Sequence, residues 1–367
     1  MRNKMLNRAV VGIIGAVWCI LALFVWITPS AEISLSERRK LAQFPQITFK
    51  SLIMADFMEK FEQYAKDQFP YRFSFRTAKA YTRFYIFGQK DNNGVYMKDG
   101  YAVKLEYPLN EDSIRKATDK FGYLYEKYMK DKNIKTYLTV VPDKGYFLSG
   151  KNGYPSMDYK RLFEIMEKNT DFAKLIRLED ILEIDDYYKT DIHWDQEKIL
   201  KVSDKIKEAI GIGQKNTDYK TIEVKLPFYG VYYGHSALPM KPDRLRYLTN
   251  DIIERCTVYN IETGKTAPVY DTEKLSGNDP YDVYLSGAAS LLVIENPSVQ
   301  NGKELVVFRD SFGSSLAPLL LDSYSKITMI DIRYISSDLI GEYVAFDNQD
   351  VLFLYSTSVL NSSSMFK

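Results

Sequence analysis

Two short stretches of the chain carry side chains suited to acid–base and nucleophilic chemistry. The first is Lys189-Thr190-Asp191-Ile192-His193-Trp194-Asp195, which holds one of the two histidines of the protein. His193 lies two residues after a carboxylate, and in an extended segment a period of two puts Asp191 and His193 on the same face. A carboxylate beside an imidazole fixes its tautomer and stabilises its protonated form. The second stretch is Arg309-Asp310-Ser311-Phe312-Gly313, directly after the apolar run Leu305-Val306-Val307-Phe308. A serine at a strand-to-helix turn projects its hydroxyl above the carboxyl edge of a sheet. There the N–H groups of the first helical turn face a developing oxyanion. This is the logic of a nucleophile elbow, without the G-x-S-x-G pattern. Each stretch also has a plain structural reading: a buried histidine, and a helix capped by Asp310 or Ser311. Taken together, Asp191, His193 and Ser311 make an acyl-transfer triad in the chain order Asp, His, Ser. A neutral His193 would take the Ser311 proton, with Asp191 stabilising the imidazolium.

The elements that must position these residues alternate along the chain. The pattern predicts a helix over 111–130, a buried strand over 136–141, a helix over 158–168 and a strand over 175–178. The 187–194 segment follows, then a helix over 195–210 with Asp195 as N-cap and Gly211 as stop. After residue 284 the rhythm resumes, with a strand at 305–308, a helix over 314–324, and strands at 327–332 and 351–355. Alternating strands and helices give an α/β fold, a parallel sheet with helices on its faces. Ligands bind such sheets at the carboxyl ends of the strands, where both stretches fall. Residues 217–284, rich in Tyr, Gly and Pro, break the alternation. They read as an insertion beside the sheet, with a hairpin of 256–261 and 267–270 around Gly264. The second histidine, His235, lies there.

At the N-terminus, residues 9–28 form an uncharged apolar run of about the 20 residues that cross a bilayer. Arg2, Lys4 and Arg8 precede it, which places residues 1–8 in the cytoplasm. A cleaved signal peptide is the competing reading, but its apolar core is shorter and ends at an A-x-A-like site; Pro29-Ser30-Ala31 is a poor one. Either way the rest of the chain is exported. The expected organisation is a single-pass anchor at 9–28, a juxtamembrane lead-in over 29–110 that packs on the main domain, and a catalytic domain over 111–367. The net charge of +1 argues against a nucleic-acid partner, which calls for a basic excess. The two cysteines, Cys19 and Cys256, supply neither a disulfide framework nor a metal-ligand spacing, and no cofactor is expected.

The sequence resembles the DHHW family of Gram-positive surface proteins, and more distantly the alginate O-acetyltransferase proteins of the SGNH-hydrolase-like superfamily. The resemblance rests on Tyr188-Lys189-Thr190-Asp191-Ile192-His193-Trp194 and Arg309-Asp310-Ser311-Phe312-Gly313. Weaker echoes are Asp67-Gln68-Phe69-Pro70, Val141-Pro142-Asp143-Lys144, Phe228-Tyr229-Gly230 and Ile330-Asp331-Ile332-Arg333-Tyr334. It implies a flavodoxin-like, SGNH-type α/β/α sandwich with Asp191, His193 and Ser311 as its triad. It further implies O-acetyl transfer to, or removal from, a cell-surface or exported polysaccharide. A membrane-bound O-acyltransferase is then the expected partner and source of the acetyl group. Two positions depart from the family pattern: isoleucine stands at 192 in place of a second histidine, and Arg309 in place of the superfamily's glycine. Gly230 and Gly287 are candidates for the oxyanion hole, with Asn296 a further one; Lys144 and Tyr232 are candidates for substrate contact. The alternative is a non-catalytic glycan-binding or assembly module that retains the fold.

Overall fold

The computed structural model describes residues 2–34, 36–54, 56–213, 217–300 and 302–367, which divide into two compact units. One comprises residues 1–92 with 237–239, the other 93–236 with 240–367. The larger unit is built on an eight-stranded sheet. Five strands run parallel, in the spatial order Lys326–Ile330, Glu304–Arg309, Asp350–Ser356, Lys135–Val141, Lys174–Ile176. The central ones are apolar at nearly every position because both faces are covered. In Asp350–Ser356, Val351, Phe353 and Tyr355 join one core, and Leu352 and Leu354 are equally buried on the other side.

On the first face lie the helices Glu111–Tyr128 and Tyr159–Asn169. Ile114, Phe121 and Leu124 from one, and Leu162, Ile165 and Met166 from the other, point inward at the 3.6-residue period. The Phe353 ring lies 4.8 Å from both Phe121 and Phe308, tying helix and two strands together. The second face carries the helix Leu200–Ile210, whose Lys207 donates to Asp322 at 2.8 Å in a buried ion pair. Gly211, at φ 81°, ends that helix as its position in the sequence predicts.

Three features differ from the sequence reading. The predicted helix over 195–210 is a 3-10 turn, Gln196–Lys198, followed by the α-helix from Leu200, so Asp195 caps the turn by accepting from Glu197 N. The hairpin Thr257–Asn260 and Lys265–Pro268 does not stand beside the sheet. It joins it, through the further strand Leu291–Glu295, as three antiparallel strands on the Lys326–Ile330 edge. The sheet is therefore mixed. The rest of the 217–284 region holds a separate two-stranded ribbon, Lys220–Phe228 with Asp243–Thr249, and short helical segments.

The smaller unit begins with the helix Arg2–Ile27. Among the described residues it is the one helix long and apolar enough to cross a membrane, a property shared by anchors and signal sequences. Two shorter helices follow, Asp56–Asp67 and Arg72–Tyr81. Phe57, Phe61 and Tyr64, at helical spacing, gather around the Phe44 ring.

Truncating the aromatic that joins both layers of the larger unit opens a cavity. Phe353→Ala is expected to cost about 3–5 kcal/mol, read as a lowered urea midpoint with an unchanged slope.

Candidate active site

Asp191 and His193 do not lie on a strand. The chain folds back on itself so that Tyr187 bridges Trp194 and Tyr188 N donates to His193 O at 3.1 Å. Residues 189–193 form the bend between. What brings the two side chains together is an Asx-type turn: Asp191 Oδ1 accepts from both His193 N, at 3.1 Å, and His193 Nδ1, at 2.6 Å. The period-two argument reached the right neighbours by the wrong geometry. Ile192 packs against the apolar cluster of Val95, Ala102 and Tyr232.

Ser311 ends the turn that follows Glu304–Arg309. Asp310 clamps this turn: its Oδ1 accepts from Phe312 N at 3.0 Å, and its Oδ2 from Ser356 N at 2.7 Å on the adjoining strand. Gly313 is required for the close start of the helix Phe312–Leu316, since a Cβ there would lie 2.8 Å from Arg309 Cβ. Ser311 itself is unstrained, at φ −65°, ψ −19°. The expected row of free helical N–H groups is not present. Phe312 N and Gly313 N are bonded within the turn to Asp310, and Ser314 N to the Ser311 carbonyl. Among the described residues, the Ser311 amide is the one in this turn with no hydrogen-bond acceptor.

The two segments meet. His193 Nε2 lies 2.7 Å from Ser311 Oγ, so Asp191, His193 and Ser311 form one continuous hydrogen-bonded chain. Asp191 is fully buried, and its second oxygen accepts from Val231 N at 2.9 Å. Ser311 is half-buried, as a residue open to a reactant must be. Tyr281 stacks on the imidazole at 3.8 Å and 6°, and the tilted Phe312 ring lies 5.1 Å away.

The lock between the segments comes from their neighbours. Trp194 Nε1 donates to Ser315 Oγ at 2.8 Å, and Tyr281 OH shares the same hydroxyl at 2.8 Å. Gln196 Nε2 donates to Ser315 O at 2.7 Å, and Gln196 Oε1 accepts from Leu248 N at 2.8 Å. Sequence reasoning missed Tyr281, Gln196 and Ser315. Ser315 lies one helical turn beyond Ser311, and Gln196 immediately beyond Asp195, but nothing in the sequence connects them. Tyr281 is one of many tyrosines in an irregular region.

The remaining sequence candidates have other structural roles. Gly230 offers no oxyanion donor, because its N–H is bonded to Thr190 Oγ1 at 2.8 Å. Its lack of a side chain is what matters, since a Cβ would lie 2.2 Å from Asp191 Cα. Gly287, at φ 90°, gives its N–H to Tyr284 O at 3.2 Å and closes a turn. Asn296 is buried, with its amide on the Leu321 and Tyr324 carbonyls. Tyr232 is 4% exposed and presents its ring to Lys144 Nζ at 5.0 Å, not to a cleft. Lys144, at 2% exposure, cannot reach a substrate. It is also no surface lysine. Its ammonium donates to Tyr188 O and Lys189 O at 3.0 and 3.1 Å, holding the segment that leads into Asp191. Asp243 grips the same segment from the far side, accepting from Lys189 N and Thr190 N at 2.8 and 2.7 Å. His235 is exposed, and its carbonyl accepts from Asn93 Nδ2 at 2.9 Å. Among the described residues no group of three or more His, Cys, Asp or Glu side chains is placed to hold a metal.

With this geometry in view, the comparisons with known proteins bear on the fold. The chain matches no protein-family model, and no curated protein matches it in sequence. It is similar in structure to a DHHW family protein. That protein, from Eubacterium siraeum, superposes with a TM-score of 0.60 at 21% identity, over 76% of this chain and 97% of its own. PatB1 of Bacillus cereus, solved with a sulfonyl adduct, gives a TM-score of 0.60 at 21% identity, over 72% of this chain and 95% of its own. The architecture is thus the SGNH-like α/β fold.

Burial pushes the Lys144 ammonium down to about 7, against the pull of Asp191, Asp243 and Asp143. The unfolded chain releases that proton near the ordinary lysine value of about 10.4. Between those values the unfolded state holds more protons, so this lysine makes stability rise with pH across the window. Lys144→Met is expected to flatten that rise, measured as urea midpoints from pH 7 to 10. An identical slope in both proteins would show that Lys144 does not titrate as described.

Proposed function

We propose that the chain is an exported, membrane-anchored serine acyltransferase that moves acetyl groups onto hydroxyls of a cell-surface or secreted polysaccharide. The observation that carries this reading is the unbroken chain Asp191 Oδ1, His193 Nδ1, His193 Nε2, Ser311 Oγ, at 2.6 and 2.7 Å. The first half-reaction begins with Ser311 Oγ attacking the acetyl carbonyl while His193 Nε2 takes its proton. Asp191, buried and bonded to the opposite ring nitrogen, stabilises the imidazolium. The free Ser311 amide faces the oxyanion that develops beside it. The imidazolium then gives its proton to the departing donor, leaving acetyl-Ser311. In the second half-reaction His193 deprotonates a sugar hydroxyl, which attacks the acetyl group, and the imidazolium returns that proton to the departing Ser311 Oγ. With water as acceptor the same steps make an acetylesterase. Apart from the triad, Tyr334 supports a sugar acceptor. It lies exposed just beyond the strand beside that of Ser311, with the Arg333 guanidinium 5.5 Å from its ring. An aromatic face of this kind suits a pyranose.

The helix Arg2–Ile27 supports the anchor, with basic residues before its apolar run setting the N-terminus inside. A multi-spanning acyltransferase is the partner this reading calls for, since the donor acetyl group must cross the membrane.

The full-length protein, incubated with a chromogenic acetyl ester with and without an oligosaccharide acceptor, is expected to turn over through Ser311. Ser311→Ala should lose activity by about 10³-fold or more. A sulfonyl fluoride, chosen because PatB1 of like fold takes a sulfonyl adduct, should label the parent and not the variant. Glycan retention with no labelling and no turnover would instead identify a binding module. Gly230→Ala tests the support behind Asp191. A displacement of about 1 Å at a triad residue costs about 10²-fold, so turnover is expected to fall on that scale with the fold retained by circular dichroism.

A further inference from the structure

The smaller unit carries a surface that the proposed chemistry does not use. The helices Asp56–Asp67 and Arg72–Tyr81 meet at the corner Gln68-Phe69-Pro70-Tyr71. Residues 62, 65 and 66 of the first, with 69 of the corner, face 72, 75, 76 and 79 of the second. Between them runs a groove of about 570 Å³ floored by Ala65, Phe69 and Phe75, with Lys66, Arg72, Arg76 and Lys79 along its rim against the single acid Glu62. Phe69 and Phe75 pack edge to face at 5.7 Å, and Phe75 is half-exposed.

The same corner is fastened to the end of the apolar N-terminal helix. The Tyr71 ring, largely exposed, lies 6.2 Å from that of Phe24, inside the apolar stretch. Beyond the helix, Ala31 N donates to Gln68 Oε1 and Gln68 Nε2 to Ala31 O, both at 2.9 Å. Ser30 Oγ and Tyr64 OH are 3.1 Å apart. A residue that touches the last turns of a membrane-spanning helix lies at the depth of the headgroups. The charges below the corner keep it rigid: Arg39 grips Asp67 with two bonds, at 2.8 and 2.6 Å, and Arg72 and Arg76 both donate to Glu37. Lys66 and Lys79 point outward on exposed positions.

We propose that this corner is a bilayer-docking element, with Phe69, Tyr71 and Phe75 seated in the outer-leaflet interface and the exposed Lys66 and Lys79 against anionic phospholipid headgroups, while Glu37 holds Arg72 and Arg76. Continuity with the end of the apolar helix fixes the occupant as the membrane, and the two exposed lysines fix the lipid class. Aromatic rings and lysines at this depth are the residue types that anchor proteins at the interface. The inference rests on the anchor reading above.

The test uses the full chain in nanodiscs of phosphatidylcholine with about one third phosphatidylglycerol, with or without lipids brominated near the acyl carbonyl. Phe75→Trp, or Tyr71→Trp should the first variant fold poorly, adds one tryptophan to Trp18, Trp26 and Trp194. Interfacial groups sit about 5–10 Å below the headgroup boundary, so the added emission is expected to fall by about half in brominated discs. A double variant Lys66→Glu with Lys79→Glu should lose most of that quenching. If the parent emission is quenched but the added tryptophan is not, the corner lies off the bilayer and the proposal fails while the anchor stands. If neither is quenched, the anchor reading fails and takes the proposal with it. Quenching that is equal in discs without phosphatidylglycerol overturns the anionic-lipid assignment.

Discussion

The site depends on one packing contact: the seating of Trp194 and Gln196 on the helix that begins at Phe312. The indole nitrogen and the Tyr281 hydroxyl converge on Ser315 Oγ, and the Gln196 amide bonds the Ser315 carbonyl. All of these groups are buried, where an unpaired donor costs about 1–3 kcal/mol. The two segments are therefore not free to slide apart, and the distance from His193 to Ser311 follows from a contact one helical turn away. Separated in sequence by more than a hundred residues, the two halves of the triad are registered by an indole and an amide that do no chemistry.

Around Asp191 the same economy appears in the backbone. Its carboxylate receives His193 N, His193 Nδ1 and Val231 N, which meets the need of a fully buried group for donors. The approach of Val231 is possible only because residue 230 has no Cβ. Lys144 sits behind, its charge spread onto two carbonyls and a tyrosine face. A buried ammonium without such partners would be costly. Here it braces the bend from within while Asp243 braces it from the ribbon.

Much of this was legible in the chain, and the failures have physical causes. The strands 135–141, 304–309 and 350–356 read clearly because burial on both faces demands unbroken apolar runs. The Leu291–Glu295 strand went unread because it follows an irregular stretch and pairs antiparallel on both sides, outside the strand–helix alternation. The hairpin around Gly264 was visible, but which edge it would extend was not, since open strand edges look alike in sequence. The helix from Asp195 broke into two pieces because Gln196 is drawn to Ser315 and Leu248, a tertiary pull that helical periodicity cannot register. Gly230 stood out as a glycine, but for the wrong reason: the sequence suggested a free N–H, where the fold needed an absent Cβ.

The sequence by itself determined the α/β alternation, the apolar N-terminal helix, and the residue types at 191, 193 and 311, because burial periodicity and the choice of side chains are local properties. Only the tertiary structure decided that those three side chains join in one hydrogen-bonded line, that the Ser311 amide is left open, and that Lys144 and Tyr232 turn inward. Those outcomes depend on which distant surfaces close over one another. Trp194 finding Ser315, and Asp191 resting on Gly230, are events of packing that no stretch of sequence contains.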